Sequence, residues 1–442
     1  MRFITILILI SALLTPRLFS ADSSASSEVI KEEVEGNWPT WRGPNRDGIS
    51  AETGLLSSWE QKEPSLAWKV SGLGSGLSSV AISGGRIYTM GESDGSIKMF
   101  ALSSKDGSQI WVSEIESDSS GYDIRRPAQG PNSTPSVDGN RVYGLTHAGL
   151  LVCVSTVDGS ILWTKDFSKD FEGQMESGWG YSESVIIDGE NLICTPGGNS
   201  AVMVALNKKT GDLIWETKMP EVTGEKGQDG AGYSSIVIGQ IAGHKQYVQL
   251  TGRGVIGVDS ENGDLLWIYN RIANDVANIP TPIVKDDYIF CSTGYGTGAA
   301  LIKIHNKNGK YEVEEKYFLK GNELQNHHGG MLLVGDYIYC GHGHNKGLPI
   351  CLNMMTGEYA WGPIRGPGTG SAAILYADDH LYFRYESGDM ALIEATPEEY
   401  KLKGTFKIDE VNGKSWPHPV IASKKLYLRD QGTLMAYDIA NK

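Results

Sequence analysis

The sequence lacks adjacent cysteines, a surplus of basic residues and any apolar run long enough to cross a membrane as a helix. Its five cysteines are never adjacent and form neither C-x-x-C nor the C-x-x-C-H signature of covalent haem attachment. The net charge of −14 argues against a nucleic-acid partner, which needs a basic surface. Ser-His-Asp, H-E-x-x-H, EF-hand and Rossmann patterns are also missing from the sequence. These absences exclude the familiar sequence signatures of catalysis and leave the fold as the first question.

The amino terminus has the pattern of an export signal. Arg2 precedes an apolar run from Phe3 to Leu14, which is too short for a transmembrane helix. We expect a signal peptide at residues 1–21, cleavage to a periplasmic or secreted protein, and no transmembrane segment after its removal. The first cysteine is Cys153, so a lipoprotein anchor is not expected. An uncleaved anchor is the alternative.

Two segments separate this leader from the body of the chain. Residues 22–36 are polar and acidic, which predicts a disordered linker. Residues 37–65 are predicted to form an extended segment packed on the body, because residues 37–48 contain two tryptophans, two prolines and the turn-like Asn45-Arg46-Asp47-Gly48.

A short motif recurs through the rest of the chain. An Asp, Thr or Asn residue followed by Gly leads to two apolar residues and a Trp, as in Asp158-Gly159-Ser160-Ile161-Leu162-Trp163. The tryptophans stand 52 residues apart, at 111, 163, 215 and 267, and a fifth copy ends at Trp361. A period of this size with short alternating strands indicates the blades of a β-propeller.

The repeats predict an all-β, eight-bladed propeller of four-stranded blades over residues 66–442. Blades begin near residues 78, 133, 181, 233, 279, 328, 370 and 416. The eighth copy stops before its Trp strand, while a lone strand around Trp68 precedes the first copy. We therefore expect that amino-terminal strand to complete the last blade and close the ring. Blades 5 and 7 lack the Trp, and we expect their outer strands to be looser.

The Gly-x-x-x-Trp repeat in eight blades behind a leader resembles the pyrroloquinoline-quinone (PQQ) repeat family. That family includes quinoprotein alcohol dehydrogenases, which hold PQQ and calcium at the ring axis, and the cofactor-free assembly propeller BamB. The opening Trp38-Pro39-Thr40-Trp41-Arg42-Gly43-Pro44 resembles exported members described as polyvinyl-alcohol dehydrogenase-like. The resemblance implies PQQ with calcium as a possible cofactor. The adjacent cysteines on which those enzymes stack PQQ are missing here.

Blade geometry predicts which residues share a face. The loop before the first strand and the loop after the second strand of a blade lie on the same side of the ring, here named the top face. Blade 6 therefore brings four histidines to one rim, and histidine clusters bind ligands or metals or carry protons. No residue is predicted to bind a metal. The predicted ligand-binding residues of the top face are Arg126, Trp179, Tyr181, Glu183, Asn278, His327, His328, His342, His344, Arg384, Glu386, His418, Arg429 and Asp430.

Two of these predictions have stated alternatives. Arg384 and Arg429 occupy matching positions in neighbouring blades and could clamp a carboxylate or phosphate, or Arg384 could form an ion pair with Glu386 or Asp430. Trp179 lies between two glycines, so its ring either stacks on a flat ligand or packs internally.

Three functions are consistent with the sequence. The leading hypothesis is an exported propeller that binds a small-molecule ligand or an envelope protein partner as a scaffold. The alternative is a PQQ-dependent alcohol dehydrogenase, and the third is an assembly scaffold like BamB. No catalytic residue follows from the sequence.

Overall fold

A computed structural model describes residues 36–116, 130–221 and 223–441. The predicted leader, most of the linker and Arg126 lie outside these residues. Helix in the described residues is limited to the single turn α1 (Phe167–Phe171) and a 3₁₀ turn at Asn270–Ile272. None of the described helices is long and apolar enough to cross a membrane.

The described residues form eight sheets arranged as blades, each with four antiparallel strands, and this confirms the predicted eight-bladed propeller. Two strands precede the first complete blade: β1 (Ile49–Ser50) and β2 (Ser65–Val70). Blade 1 contains β3 (Ala81–Ser83), β4 (Arg86–Ser93), β5 (Ser96–Ser103) and β6 (Gln109–Glu116). Blade 2 contains β7 (Ser136–Asp138), β8 (Arg141–Leu145), β9 (Leu150–Ser155) and β10 (Ile161–Asp166). Blade 3 contains β11 (Ile186–Asp188), β12 (Asn191–Cys194), β13 (Met203–Asn207) and β14 (Leu213–Thr217). Blade 4 contains β15 (Val237–Ile241), β16 (His244–Thr251), β17 (Gly254–Asp259) and β18 (Leu265–Tyr269).

In blades 5 to 8, as in blades 1 to 4, the strands of each blade follow one another from the axis to the rim. Blade 5 contains β19 (Ile283–Lys285), β20 (Tyr288–Thr293), β21 (Gly298–Lys307) and β22 (Lys310–Lys320). Blade 6 contains β23 (Met331–Val334), β24 (Tyr337–His342), β25 (Leu348–Asn353) and β26 (Tyr359–Trp361). Blade 7 contains β27 (Ala372–Ala377), β28 (His380–Tyr385), β29 (Asp389–Glu394) and β30 (Leu402–Lys407). Blade 8 contains β31 (Val420–Ala422), β32 (Lys425–Asp430) and β33 (Thr433–Asp438), and β2 is its fourth strand.

The two ends of the body meet in blade 8. Strand β2 pairs antiparallel with β33, with Trp68 opposite Ala436. The first part of the chain therefore supplies the outer strand of the last blade, as the repeat count predicts. Closure of the ring in this way leaves no unpaired blade at either end.

Every blade carries a β-bulge in its outer strand. The ladder shifts by one residue immediately before the Trp position, as between Ile161 and Trp163 in blade 2 and between Leu66 and Trp68 in blade 8. The same shift occurs in the other six blades. The extra residue breaks the alternation of faces, so both Ile161 and Leu162 are exposed while Trp163 turns inward. The aliphatic pair of the motif is therefore a surface feature.

The Trp of one blade packs on the Gly of the next. A Cβ added to Gly159 would lie 2.8 Å from the Trp111 ring, and one added to Gly211 would lie 2.9 Å from the Trp163 ring. Gly107 meets Trp68 and Gly263 meets Trp215 in the same way. These glycines also have positive φ, for instance 79° at Gly159, a conformation that side chains disfavour. The repeat is therefore a chain of identical contacts between blades.

The outer strand of blade 5 differs from the prediction. Strand β22 is 11 residues long and pairs with β21 along its length, so the expectation of a looser strand is wrong for this blade. Tyr317 takes the place of the Trp and contacts Gly357 of blade 6. Its hydroxyl donates a hydrogen bond of 2.5 Å to the Met354 carbonyl. Tyrosine thus provides an equivalent ring for the contact between blades.

The Trp-on-Gly contact predicts a measurable difference between two glycines of blade 2. Gly139 has φ 55° with no atom within 4 Å of an added Cβ, whereas Gly159 faces the Trp111 ring. Gly139→Ala should cost about 1 kcal/mol of unfolding free energy through backbone strain. Gly159→Ala should cost about 1–3 kcal/mol more because the ring must move. Urea denaturation of both variants provides the measurement, and equal losses would contradict the proposed packing role.

Candidate functional site

A cavity of about 610 Å³ lies at the ring axis on the top face. Its lining residues come mainly from the segments that enter the first strands of the blades, and they include Asn132, Trp179 and Tyr233. This volume is in the range of small-molecule sites, which are concave and rich in aromatic side chains. The axial cavity is therefore the candidate functional site.

The floor of the cavity is Trp41, which belongs to the amino-terminal segment. Residues 38–50, named here the plug, lie along the inner strands. Trp38 forms a β-bridge with Ile82 in blade 1, and β1 adds a parallel strand inside blade 7. The Pro39 carbonyl accepts a hydrogen bond of 2.8 Å from the Val137 amide. Residues 38–50 thus lie within the ring, where Trp41 ends the cavity.

Two buried arginines hold the plug across the axis. Arg42 donates hydrogen bonds to the carbonyls of Met331 in blade 6 and Asp47 in the plug. Arg46 donates to the Val185 carbonyl of blade 3 at 3.0 Å and to the neighbouring Ser184 carbonyl. Their guanidinium carbons lie 5.4 and 5.9 Å from the Trp41 ring centroid. Two cations therefore lie close to the floor of the cavity.

Burial lowers the pKa of Arg42 and of Arg46 to about 10, so both remain charged at neutral pH. The carboxyl of Glu183 raises the pKa of Arg46, and it accepts hydrogen bonds from the Thr195 amide at 2.7 Å and the Thr195 hydroxyl at 3.0 Å. Burial nevertheless raises the pKa of Glu183 to about 8, against the lowering effects of Thr195 and Arg46. Glu183 and Arg46 therefore act on each other as a buried pair between the plug and blade 3.

A set of hydroxyl groups, named the hydroxyl belt, joins blades 1 to 5 around the cavity. Each backbone amide at the entry to a first strand donates to the hydroxyl of the next blade, at distances between 2.9 and 3.1 Å. The members are Ser79, Thr134, Ser184, Ser235 and Thr281. The Ser79 hydroxyl extends the belt to blade 8 by donating to the His418 carbonyl at 2.7 Å. One side of the cavity is therefore polar, uncharged and internally bonded.

The other side is a row of flat rings, named the ring wall: Tyr295, His344, His327, His328 and Trp416. Neighbouring ring centroids in this order lie 4.6, 4.1, 4.2 and 4.2 Å apart. His418 contacts Trp41 with centroids 5.4 Å apart and so joins this side of the cavity to the floor. The ring wall begins in blade 5, crosses blade 6 and ends in blade 8.

The histidines here are held neutral. Burial lowers the pKa of His327 to about 4 and that of His418 to about 3. His327 shares a hydrogen bond of 2.9 Å with the Ser371 hydroxyl and one of 3.3 Å with the Tyr295 hydroxyl. Within the described residues, the buried Nε2 of His328 and Nδ1 of His344 have no partner. Neutral imidazoles with unused nitrogens offer hydrogen bonding without charge.

Three positively charged side chains, Arg42, Arg46 and Lys414, lie near the cavity. Lys414 at the rim lies 4.7 Å from the Trp416 ring centroid and 3.0 Å from Glu386. Among the described residues that line the cavity, none is Asp or Glu. Glu386 is thus a carboxylate beside this wall, where it pairs with Lys414, while two guanidinium groups lie close to the floor.

The structure brings together part of the predicted site. Five predicted residues line the axial cavity: Trp179, His327, His328, His344 and His418. Glu386 pairs with Lys414 beside them. Their role in ligand binding stays a prediction, and Arg126 lies outside the described residues. Trp179 faces the cavity while its backbone amide donates to the Tyr233 hydroxyl at 3.3 Å.

The remaining predicted residues are buried in contacts within the protein. Arg384 donates to the Pro417 carbonyl at 2.7 Å and lies 3.7 Å from Asp430, so the ion pair with Asp430 is the alternative that the structure contains. Arg429 donates to carbonyl groups of residues 73, 74 and 78. These two guanidiniums join neighbouring blades and do not face the cavity.

Four other predicted residues are also enclosed by protein. The Tyr181 hydroxyl donates to the Pro196 carbonyl at 2.8 Å, and the His342 Nδ1 accepts from the Gln325 amide at 3.2 Å. Asn278 donates to the buried carboxylate of Glu176, which lies in a different blade. Glu183, described above, completes this group. Sequence position did not reveal that these side chains are buried.

The sequence did not identify Trp41, Tyr295 or Lys414 as cavity residues. Trp41 precedes the repeats, so blade register says nothing about it. Tyr295 lies in a Gly-rich loop whose sequence predicts a tight turn, and in the structure it has a left-handed φ of 56° and lines the cavity. A signal for the hydroxyl belt was present, since a Ser or Thr recurs at the entry to five successive first strands.

A family model described as outer membrane protein assembly factor BamB matches residues 101–362. The chain belongs to this family. A curated relative, BamB of Kangiella koreensis, is 25% identical over 205 residues, which cover 45% of this chain and 44% of the relative. The match thus spans less than half the length of that relative.

Solved structures share the fold. BamB from Moraxella catarrhalis superposes with a TM-score of 0.58 at 13% identity, over 85% of this chain and 98% of that chain. Quinohemoprotein alcohol dehydrogenase from Comamonas testosteroni gives 0.64 at 10% identity, over 92% and 81%. A europium-containing methanol dehydrogenase gives 0.65 at 11% identity, over 90% and 91%. At these identities the likeness shows the propeller fold alone.

The residues of the cavity do not fit a calcium-bound quinone. Calcium takes about six to eight oxygen ligands, usually with carboxylates among them. The described lining residues offer hydroxyls and amides but no carboxylate, and guanidiniums lie close to the floor. No cluster of three His, Cys, Asp or Glu residues suited to a metal occurs in the described part of the chain. All five cysteines are buried and free, so no disulfide is available for stacking.

Buried neutral histidines predict a loss of stability in acid. Because the pKa of His327 is lowered to about 4, folding keeps this ring unprotonated while the unfolded chain takes up a proton near pH 6.5. The folding stability that depends on the neutral His327 ring is fully present above pH 6.5. It is lost as the pH falls toward about 4. Urea unfolding at pH 7.5, 6.0 and 4.5 should show a smaller decline for His327→Gln than for the unaltered protein. The same decline in both proteins would contradict this assignment.

Proposed function

We propose that this protein is an exported propeller that binds a small organic molecule in its axial cavity and acts through binding. The observation that carries the proposal is the cavity itself, which is closed below by Trp41 and has the ring wall along one side. Sites of this form bury most of a ligand and orient it through a few polar groups. The apolar leader and the BamB family support a location in the cell envelope.

Trp41 offers the most direct test because the plug supplies it and no blade depends on it for strand pairing. Trp41→Leu should weaken the binding of an aromatic fragment by about tenfold or more, since a stacking face is lost. Trp59→Leu is the matched control, as Trp59 is buried in the ring-closing core away from the cavity. Binding of fragments from a screen by thermal shift, followed by calorimetry on both variants, provides the measurement. Equal effects of the two substitutions would argue against the axial site.

A PQQ-dependent dehydrogenase is the alternative that the structural neighbours support. The lining residues make the dehydrogenase the weaker candidate. None of the described residues that line the cavity is an Asp or Glu that could bind calcium or act as a general base. We expect added calcium to leave the affinity for PQQ unchanged and no alcohol-dependent dye reduction to follow. Fluorescence titration of PQQ with calcium or with a chelator checks this. Calcium-dependent binding together with alcohol oxidation would establish the alternative instead.

A protein-binding role is a second candidate because the family is described as an outer membrane assembly factor. The outer strands of blades 1 to 3 expose aliphatic residues on successive open edges: Ile110, Val112, Ile161, Leu162, Leu213 and Ile214. Such apolar edges suit docking to an envelope protein. A photo-crosslinking residue at position 162 should then capture one defined partner in intact cells, while the same residue at Lys310, on the blade 5 hairpin, should not. Equal capture at both positions would count against this role.

A further inference from the structure

The first strand of each blade has one edge that faces the ring axis. In blade 1 the last residue but one of this strand is Ile82, which lies opposite Ile87 in the ladder. The Ile82 amide and carbonyl both bond to the main chain of Trp38 in the plug, at 2.7 and 2.8 Å. Ile82 and Ile87 therefore form a non-hydrogen-bonded pair, and the main-chain groups of Ile82 point away from their own blade. We name this place in each blade the axis position.

The plug bonds to the axis positions of three more blades. The pairs are Val137 with Pro39 at 2.8 Å, Tyr376 with Gly48 at 2.9 Å, and Ile421 with the Ser50 hydroxyl at 3.4 Å. In each of these blades the residue lies opposite the one five places later in the chain, as Ile82 does. The plug thus covers the axis positions of four successive blades: 7, 8, 1 and 2.

The axis positions of blades 4 and 5, Gln240 and Val284, are open. Their strands, β15 and β19, each pair with a single neighbouring strand. Across the part of the chain that the structure describes, no hydrogen bond joins the main chain of Gln240 or Val284 to the plug or to a further strand. Gln240 and Ile238 are exposed and all of β19 is half-buried, whereas β31 of blade 8 is fully buried. The inner edges of blades 4 and 5 are therefore accessible to solvent.

An open strand edge is a template for another chain, because its amides and carbonyls are spaced to pair with a second strand. This protein already uses the same edge in that way, since β1 of the plug adds to β27 of blade 7 with Ile49 opposite Tyr376. The open edges of blades 4 and 5 continue this interface around the ring. Gln240 and Val284 each lie two residues before a hairpin turn, at the bottom face, whereas segments of the top face line the axial cavity.

The two lysines beside these edges already have partners. Lys245 of β16 forms an ion pair with Asp188 at 2.6 Å. Lys285 of β19 forms one with Asp336 at 2.7 Å. Neither lysine is free to select an anionic chain, and the neighbouring apolar side chain of Ile238 is 36% exposed. An uncharged segment with apolar side chains therefore suits these edges.

We propose that the open inner edges of blades 4 and 5 form a second binding site, on the bottom face, for an extended and uncharged segment of a partner protein. The segment pairs with these edges through main-chain hydrogen bonds, as β1 pairs with blade 7. The inference concerns a site distinct from the axial cavity and does not depend on the proposed small-molecule function.

Hydrogen exchange resolved to single amides tests whether the edges are open. In the unbound full mature chain, the amides of Gln240 and Val284 should exchange at least tenfold faster than those of Val137 and Tyr376, which bond to the plug. Equal protection of all four amides would overturn the inference, because the edges of blades 4 and 5 would then be covered.

A model peptide tests whether the edges bind an extended chain. The probe is a seven-residue peptide of alternating threonine and valine with blocked ends, and its binding should slow the exchange of Gln240 and Val284 but not of Val137 and Tyr376. The same peptide methylated at every amide nitrogen cannot donate main-chain hydrogen bonds and should bind at least tenfold more weakly. Replacement of its threonines by aspartate or lysine should not raise the affinity measured by calorimetry.

Variants of the edge assign the binding to blades 4 and 5. Gln240→Pro removes an amide hydrogen that no ladder uses, and proline is tolerated on edge strands, so the variant should fold and bind the probe at least threefold more weakly. The matched control Gln240→Val keeps the amide and should leave the affinity unchanged. Far-ultraviolet dichroism checks folding. If Gln240→Pro does not fold, Val284→Pro tests the same loss in blade 5, and the methylated peptide needs no variant.

The outcomes separate this site from the axial cavity. Fragment binding in the axial cavity should be the same in Gln240→Pro and in the unaltered protein. No protection of Gln240 and Val284 by the probe, or equal binding of the methylated peptide, would overturn the inference and leave the small-molecule function standing. Tighter binding of a charged peptide would overturn the assignment of an uncharged partner. Binding of the peptide without any fragment hit would support this site and overturn the small-molecule function.

Discussion

At five of the eight boundaries between blades, an aromatic ring of one blade packs closely against a glycine of the next. A blade is a small sheet that cannot bury its own faces, so its stability comes from its neighbours. The hydrophobic clusters reflect this, since each one joins residues of adjacent blades, as where Trp111 and Met99 of blade 1 meet Val142 and Val152 of blade 2. Because the glycine admits the ring at close range, neighbouring blades can bury these faces. The axial cavity follows from that spacing, since its width is what remains when eight blades meet.

The sequence predicted the fold well because the fold is repetitive. Trp at intervals of 52 residues defines the blades, and the missing eighth Trp leads directly to closure by the strand around Trp68. The outer-strand bulge was not predicted, because alternation cannot be read in a strand where Ile161 and Leu162 both face solvent. The looser outer strand expected in blade 5 was wrong because Tyr317 performs the same packing as a Trp. The repeat period thus predicts where the blades lie, but it does not predict which residue can replace the Trp.

The site was predictable in part. Blade register brought His327, His328 and His344 to one side correctly, because they belong to a single blade with clear strands. It did not separate residues that face the axis from those enclosed between blades, so Arg384 and Arg429 were included although neighbouring backbone carbonyls hold them. Whether a side chain faces the axis or is buried between blades depends on its contacts, which the sequence order does not give. Trp41 was missed for a different reason, since it belongs to a segment with no repeat to compare.

The plug joins regions of the chain that are made at very different times. Trp41 and Arg42 are near the beginning of the chain, while their contacts Met331 and His418 are near its end. Synthesis proceeds from the amino terminus, so the floor is made long before the wall that faces it. No partly synthesised chain can contain the complete cavity, and the last residues to be made are those that also close the ring through β33. A ligand of this cavity would therefore distinguish finished molecules from unfinished ones, and its binding would report that synthesis and folding are complete.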